Sequence, residues 1–133
     1  MDTLATVPLF SACSRRELQT IAKCADRVDA PAGKTLVTQG ATGDEFFVIL
    51  DGTARVERNG RKVSSLGPGR FFGDLALLDR APRNASVIAE TPMELARLGQ
   101  KSFNELIGMH GFSKKLLAGL ARRLREQDSK SLG

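Results

Sequence analysis

The chain has 133 residues, of which 41% are hydrophobic, and carries a formal net charge of +5. That length suits a single domain, and the apolar fraction supports a packed core and excludes a disordered chain. The charge suits an anionic ligand, a nucleic acid or an acidic membrane surface without choosing among them.

The first 13 residues, MDTLATVPLFSAC, carry an acid at Asp2 and lack the basic start and apolar stretch of a secretory signal. Ser14 and Glu17 form a capping box, and Leu18, Ile21 and Ala22 follow at helical spacing. Residues 1–27 are therefore expected to form an N-terminal helical element. Cys13 and Cys24 are too few for a disulfide framework or a zinc site, and are expected as reduced thiols in a cytoplasmic protein.

Short β-rich runs separated by glycine turns fill residues 28–98. The strand candidates are Thr35–Val37, Glu45–Leu50, Ala54–Glu57, Lys62–Leu66, Ser86–Ala89 and Met93–Leu98. Asp51-Gly52 and Asn59-Gly60 are hairpin signals. Runs such as Phe46 to Leu50 are too short to span a bilayer, so no transmembrane segment is expected. This spacing predicts a mainly β fold with flanking helices, an antiparallel barrel or jelly roll.

Residues 99–133 read as C-terminal helices. Ser102 and Glu105 suggest a second capping box, and Gly108 and Gly111 suggest a break. The last helix is expected over about Ser113–Gln127, with Leu116, Leu117, Leu120 and Leu124 on one face and a basic opposite face. That leucine stripe suits core packing or a homodimer seam.

Chemistry concentrates between Gly67 and Thr91. Gly73 permits close backbone approach to a ligand. Asp74-Leu75-Ala76-Leu77-Leu78 has the composition of a short helix, whose free N–H groups suit an anion. Arg83 follows the stiffening Pro82, and Asn84-Ala85-Ser86 leads into a strand. The cation and the N–H groups fit a phosphate, and the carboxylate fits a sugar hydroxyl.

This segment resembles the phosphate-binding cassette of the cyclic-nucleotide-binding domain family. The resemblance rests on Phe72-Gly73-Asp74-Leu75-Ala76-Leu77-Leu78 followed by Pro82-Arg83-Asn84-Ala85-Ser86-Val87. The opening PLFSACSRREL is similar to the family's N-terminal helices. Gly33-Lys34, Gln39-Gly40 and Phe46–Gly52 are similar to its first barrel strands. The resemblance implies one domain over residues 1–133, an antiparallel β-roll of double-stranded β-helix type, and a cassette at residues 72–87.

It also implies roles. Arg83 would pair with the exocyclic oxygens of a cyclic phosphate, helped by the backbone at Leu75, Ala76 and Ala85 and by the Ser86 hydroxyl. Asp74 stands where the family usually has Glu, and would accept from the ribose 2′-OH through a side chain one methylene shorter. Asn84 departs from the Thr that favours guanine and from the Ala typical of cAMP-selective kinase sites. The expected ligand is cAMP rather than cGMP. Val56 and Leu66 are candidates for the apolar wall under the base, and Leu120 or Arg123 for a lid.

Against an enzyme, the chain has one histidine, His110, where a metal-dependent barrel needs a cluster of ligands. No metal is expected, and the cysteines have only His110 as an imidazole partner for nucleophilic catalysis. The leading function is a sensor that relays ligand binding through its C-terminal helix to a protein partner or output domain. The alternatives are a scaffold of the same fold that binds nucleotide poorly, and the sensor part of a longer transcription regulator. No helix-turn-helix follows the last helix, so DNA binding by this chain itself is not expected.

Overall fold

The computed structural model describes residues 7–73 and 82–132, with side chains through Arg125. A 3-10 turn at Pro8–Phe10 leads to helix α1, Arg15–Cys24. The expected capping box starts it: the Ser14 hydroxyl accepts from the Glu17 N–H at 3.1 Å, and Glu17 Oε1 accepts from the Ser14 N–H at 2.8 Å.

Eight strands follow: β1 Asp26–Ala30, β2 Thr35–Val37, β3 Glu45–Asp51, β4 Ala54–Arg58, β5 Arg61–Leu66, β6 Phe71–Phe72, β7 Ser86–Ala89 and β8 Met93–Gly99. They form two four-stranded antiparallel sheets, ordered β1-β8-β3-β6 and β2-β7-β4-β5. This is the antiparallel roll the spacing predicts. The strands β1 and β6 were not among the candidates. The first reads as polar, and the second is two residues long.

Successive side chains on a strand point to opposite faces. In β3, Phe47 and Ile49 face the space between the sheets, with Ala54, Leu66, Phe72, Val87 and Leu95. Phe46 and Val48 point the other way, into a layer with Phe10, Ile21, Leu98, Phe103 and Phe112. That explains the unbroken apolar run in β3: both of its faces are buried. The Asn59-Gly60 pair turns β4 into β5 with φ of 55° and 79°, the left-handed values a two-residue type I′ turn requires.

Helices α2, Gln100–Ile107, and α3, His110–Leu132, cover the outer face of the first sheet. Two expectations are corrected here. Ser102 does not cap: α2 begins at Gln100 with Gly99 as its N-cap, whose missing side chain leaves no cap hydrogen bond. Gly111 does not break a helix but lies in the first turn of α3, where a Cβ would come within 2.3 Å of the Ala12 carbonyl oxygen. Close packing, not chain reversal, requires glycine there. The leucine stripe also splits. Leu116 is buried and Leu120 packs beside it, whereas Leu117 and Leu124 are 66% and 62% exposed. No described helix is long and apolar enough to cross a membrane.

Candidate functional site

Among the described residues, Arg83 is the charged side chain that is buried, at 7% exposure. A guanidinium enters such a place only if its N–H groups are satisfied. Arg83 Nη2 donates to the Glu45 carbonyl at 2.9 Å and Nη1 to the Gly73 carbonyl at 3.1 Å. Its backbone is fixed as well. Arg83 N–H donates to Ala41 O at 2.9 Å, and its carbonyl accepts from Gly40 N–H at 2.8 Å. The loop between β2 and β3 therefore forms one wall of the site, and the end of β6 forms another.

Two glycines shape this nest. A Cβ on Gly43 would lie 2.6 Å from Arg83 Nη2. Gly73 has φ of 90°, and its Cβ would lie 2.6 Å from the Glu45 carbonyl oxygen and 2.8 Å from Arg83 Nη1. Both are glycine because the backbone and the guanidinium come too close for a side chain.

Beyond Arg83 the chain runs along a polar seam. The exposed Asn84 has its carbonyl bonded by Arg58 Nε at 3.1 Å. Ala85 is buried, and the Ser86 hydroxyl accepts from the Gln39 N–H at 2.9 Å. Gln39 grips the hairpin turn in its own right. Its Nε2 donates to Asn59 Oδ1 at 3.0 Å, and its Oε1 accepts from the Asn59 N–H at 2.8 Å. Asp74, Leu75 and Ala76, with the expected short helix at Asp74–Leu78, lie outside the described residues.

The structure places the remaining candidates as follows. Val56 pairs with Val87 across β4 and β7, one position from the Glu57–Ser86 pair, and is half-buried against the inter-sheet core. Leu66 is buried in the same core but pairs with Ala54, at the far end of the β4 ladder from Ser86. Leu120 and Arg123 lie on the helical side of the other sheet. Arg123 Nη2 donates to the Phe71 carbonyl at 3.1 Å, and its guanidinium sits 5.1 Å from the Phe71 ring centre, a cation–π distance. Arg123 thus meets β6, the strand just before Gly73, and Leu120 packs against the helical core layer.

Sequence reasoning did not find Glu45, Gly40, Ala41 or Gly43. Three of them act through backbone atoms and the fourth through a missing Cβ. The closely spaced Gly40 and Gly43 just before an apolar strand were the available signal. A surface depression lined by Asp44, Gly99, Gln100, Lys101, Asn104 and Glu105 lies beside the start of β3. Its two carboxylates make it a poor anion site. The Cys13 thiol is pushed above its ordinary pKa by burial and by the nearby Glu17 charge, which leaves it protonated and unreactive at neutral pH.

Arg83 is thus buried among the carbonyls of the β2–β3 loop, Glu45 and Gly73, in an antiparallel roll flanked by helices. The family model described as "Cyclic nucleotide-binding domain" matches residues 27–110, and the chain belongs to that family. It is 42% identical over 107 residues to a cAMP-dependent protein kinase regulatory subunit from Aspergillus fumigatus, across 79% of this chain and 26% of that protein. The chain thus spans about a quarter of the length of that relative. Its fold is similar to the Thermus thermophilus catabolite activator protein, with a TM-score of 0.81 and 34% identity over 92% of this chain and 61% of that one. It is also similar to the regulatory domain of Toxoplasma gondii PKA crystallised with cAMP, with a TM-score of 0.78 and 29% identity over 92% of this chain and 48% of the other.

Proposed function

We propose that this chain is a cAMP-binding regulatory module whose anchor is Arg83. The observation that carries the reading is the buried guanidinium held by the Glu45 carbonyl at the start of β3 and the Gly73 carbonyl just after β6. A planar fork oriented by neutral acceptors matches the exocyclic oxygens of a cyclic phosphate, and low local dielectric strengthens the pairing. Ser86 adds a hydroxyl, Ala85 a backbone N–H, and Asp74 with Leu75 and Ala76 the ribose and phosphate contacts the motif implies. Val56, one pair from Ser86, flanks the base, and Leu66 backs the same core from the far end of the β4 ladder. Asn84 offers an amide that both donates and accepts at the base edge. The regulatory subunit and the crystallised domain named above support cAMP over cGMP.

Binding at Arg83 reaches α3 through Gly73 and Phe71, so a ligand that prefers one arrangement of β6 shifts the helix population. Leu117 and Leu124, exposed on α3, offer the output surface. The role is binding, not catalysis. The test is calorimetry and thermal unfolding with cAMP and cGMP, on the wild-type protein and on Arg83→Ala. At about 100 times Kd, cAMP should stabilise the protein by about 2.7 kcal/mol and raise Tm accordingly. Arg83→Ala should abolish the effect, and cGMP should require higher concentration. Absence of any cAMP response up to millimolar concentration would favour a scaffold that keeps the fold without the ligand.

A further inference from the structure

Arg97 occupies β8 opposite Asp26 of β1 and Phe47 of β3. Its side chain reaches both ways along the sheet. Nη2 donates to Asp26 Oδ2 at 3.4 Å, and Nε lies 3.1 Å from Glu45 Oε2 as an ion pair. Asp26 and Glu45 are the first residues of the two strands that flank β8.

Strand ends are where ladders open most easily. Glu45 is such an end, and its ladder partner is Gly99, the last residue of β8, which has no side chain to pack across the pair. The diagonal ion pair to Arg97 supplies the tie that Gly99 cannot. This strand end matters because the Glu45 carbonyl accepts from Arg83 Nη2 at 2.9 Å. The same oxygen would lie 2.6 Å from a Cβ on Gly73, so it also sets the approach of the cassette's first glycine.

We propose that Arg97 is a positioning residue for the anion site: by holding Glu45, it fixes the carbonyl that orients Arg83. It touches no ligand atom. The inference rests on the reading of Arg83 as the phosphate-binding group. The Arg97 and Glu45 side chains are 40% and 42% exposed, so their pairing adds little to stability. Its effect falls on preorganisation, which is read in affinity.

The experiment compares Arg97→Ala, Glu45→Ala and the double variant in cAMP titrations, with Tm measured on the unliganded proteins. Arg27→Ala is the control. Arg27 makes a cross-strand ion pair with Glu94 on the same β1–β8 ladder, remote from Arg83's carbonyl partners. Each single variant should weaken cAMP binding about fivefold, and the double variant should be no weaker than either. Arg27→Ala should stay within about twofold of wild type.

Two results overturn the proposal while leaving cAMP binding intact. One is an Arg97→Ala variant that binds like wild type. The other is an Arg27→Ala variant that loses as much affinity as Arg97→Ala, which would make the effect a general loosening of the sheet. A wild-type protein that binds no cAMP fails differently, because it removes the ligand assignment on which the inference stands.

Discussion

Gly43 and Gly73 both make room for Arg83, but they differ in what a side chain would strike. At Gly43 the nearest atom is the guanidinium itself, the movable end of a long side chain. Gly43→Ala should therefore cost less than about 1 kcal/mol of stability while displacing the phosphate-binding group and weakening cAMP by about tenfold or more. At Gly73 the nearest atom is the Glu45 backbone oxygen, and φ is 90°. Gly73→Ala has no cheap relaxation and should lower stability by about 1–3 kcal/mol. Chemical denaturation and calorimetry on the two variants separate these outcomes. Equal losses of stability would contradict the distinction. The sequence motif singles out Arg83, and the structure shows that side chain buried. The Glu45 carbonyl was not legible, since every residue carries a carbonyl and only the fold decides which one faces the guanidinium.

At the scale of elements, the middle of α3 closes on the Phe71 ring. Gly119 lets the helix approach Phe71, where a Cβ would meet the ring carbons at 2.7 and 2.8 Å. One helical turn later, Arg123 closes over the same ring and bonds the Phe71 carbonyl. Alanine at a helix interior normally gains about 1 kcal/mol over glycine, but here the added methyl meets a ring edge with the helix on one side and the sheet on the other. Gly119→Val, bulkier and β-branched, should cost about 1–3 kcal/mol and open α3 to proteolysis ahead of the sheets. Unchanged proteolysis would mean the helix accommodates the side chain.

The sequence revealed α1 through its capping box, and the β4–β5 hairpin through Asn59-Gly60. It concealed β1, whose Asp26, Arg27 and Asp29 give no apolar strand pattern because an edge strand exposes its side chains. It also suggested a cap at Ser102, since local chemistry alone does not show that β8 runs directly into α2 at Gly99.

For the whole molecule, the first sheet is shared between the inter-sheet core and the helical layer, with β3 at its centre. In β3, Phe47 and Ile49 close the inter-sheet core, and Phe46 and Val48 close the helical layer, with Phe46 rings 5.0 Å from Phe103 and 5.8 Å from Phe71. Neither layer can come apart without disturbing the other. The alternation rule that defines half-buried strands misses such a segment, and its continuous hydrophobicity was the correct signal.

That arrangement has a consequence on the timescale of isotope exchange. The Val48 and Ile49 amides lie in the middle of a strand covered on both faces, so their deuterium uptake should proceed only through global unfolding and report its full free energy. Amides in the loop at Gly40–Gly43 should exchange through local opening, far sooner. Glu45 stands between the two regimes. The carbonyl that orients Arg83 is thus set where the most slowly exchanging part of the chain gives way to one of the fastest, and bound nucleotide should be seen first as slowed exchange in that loop.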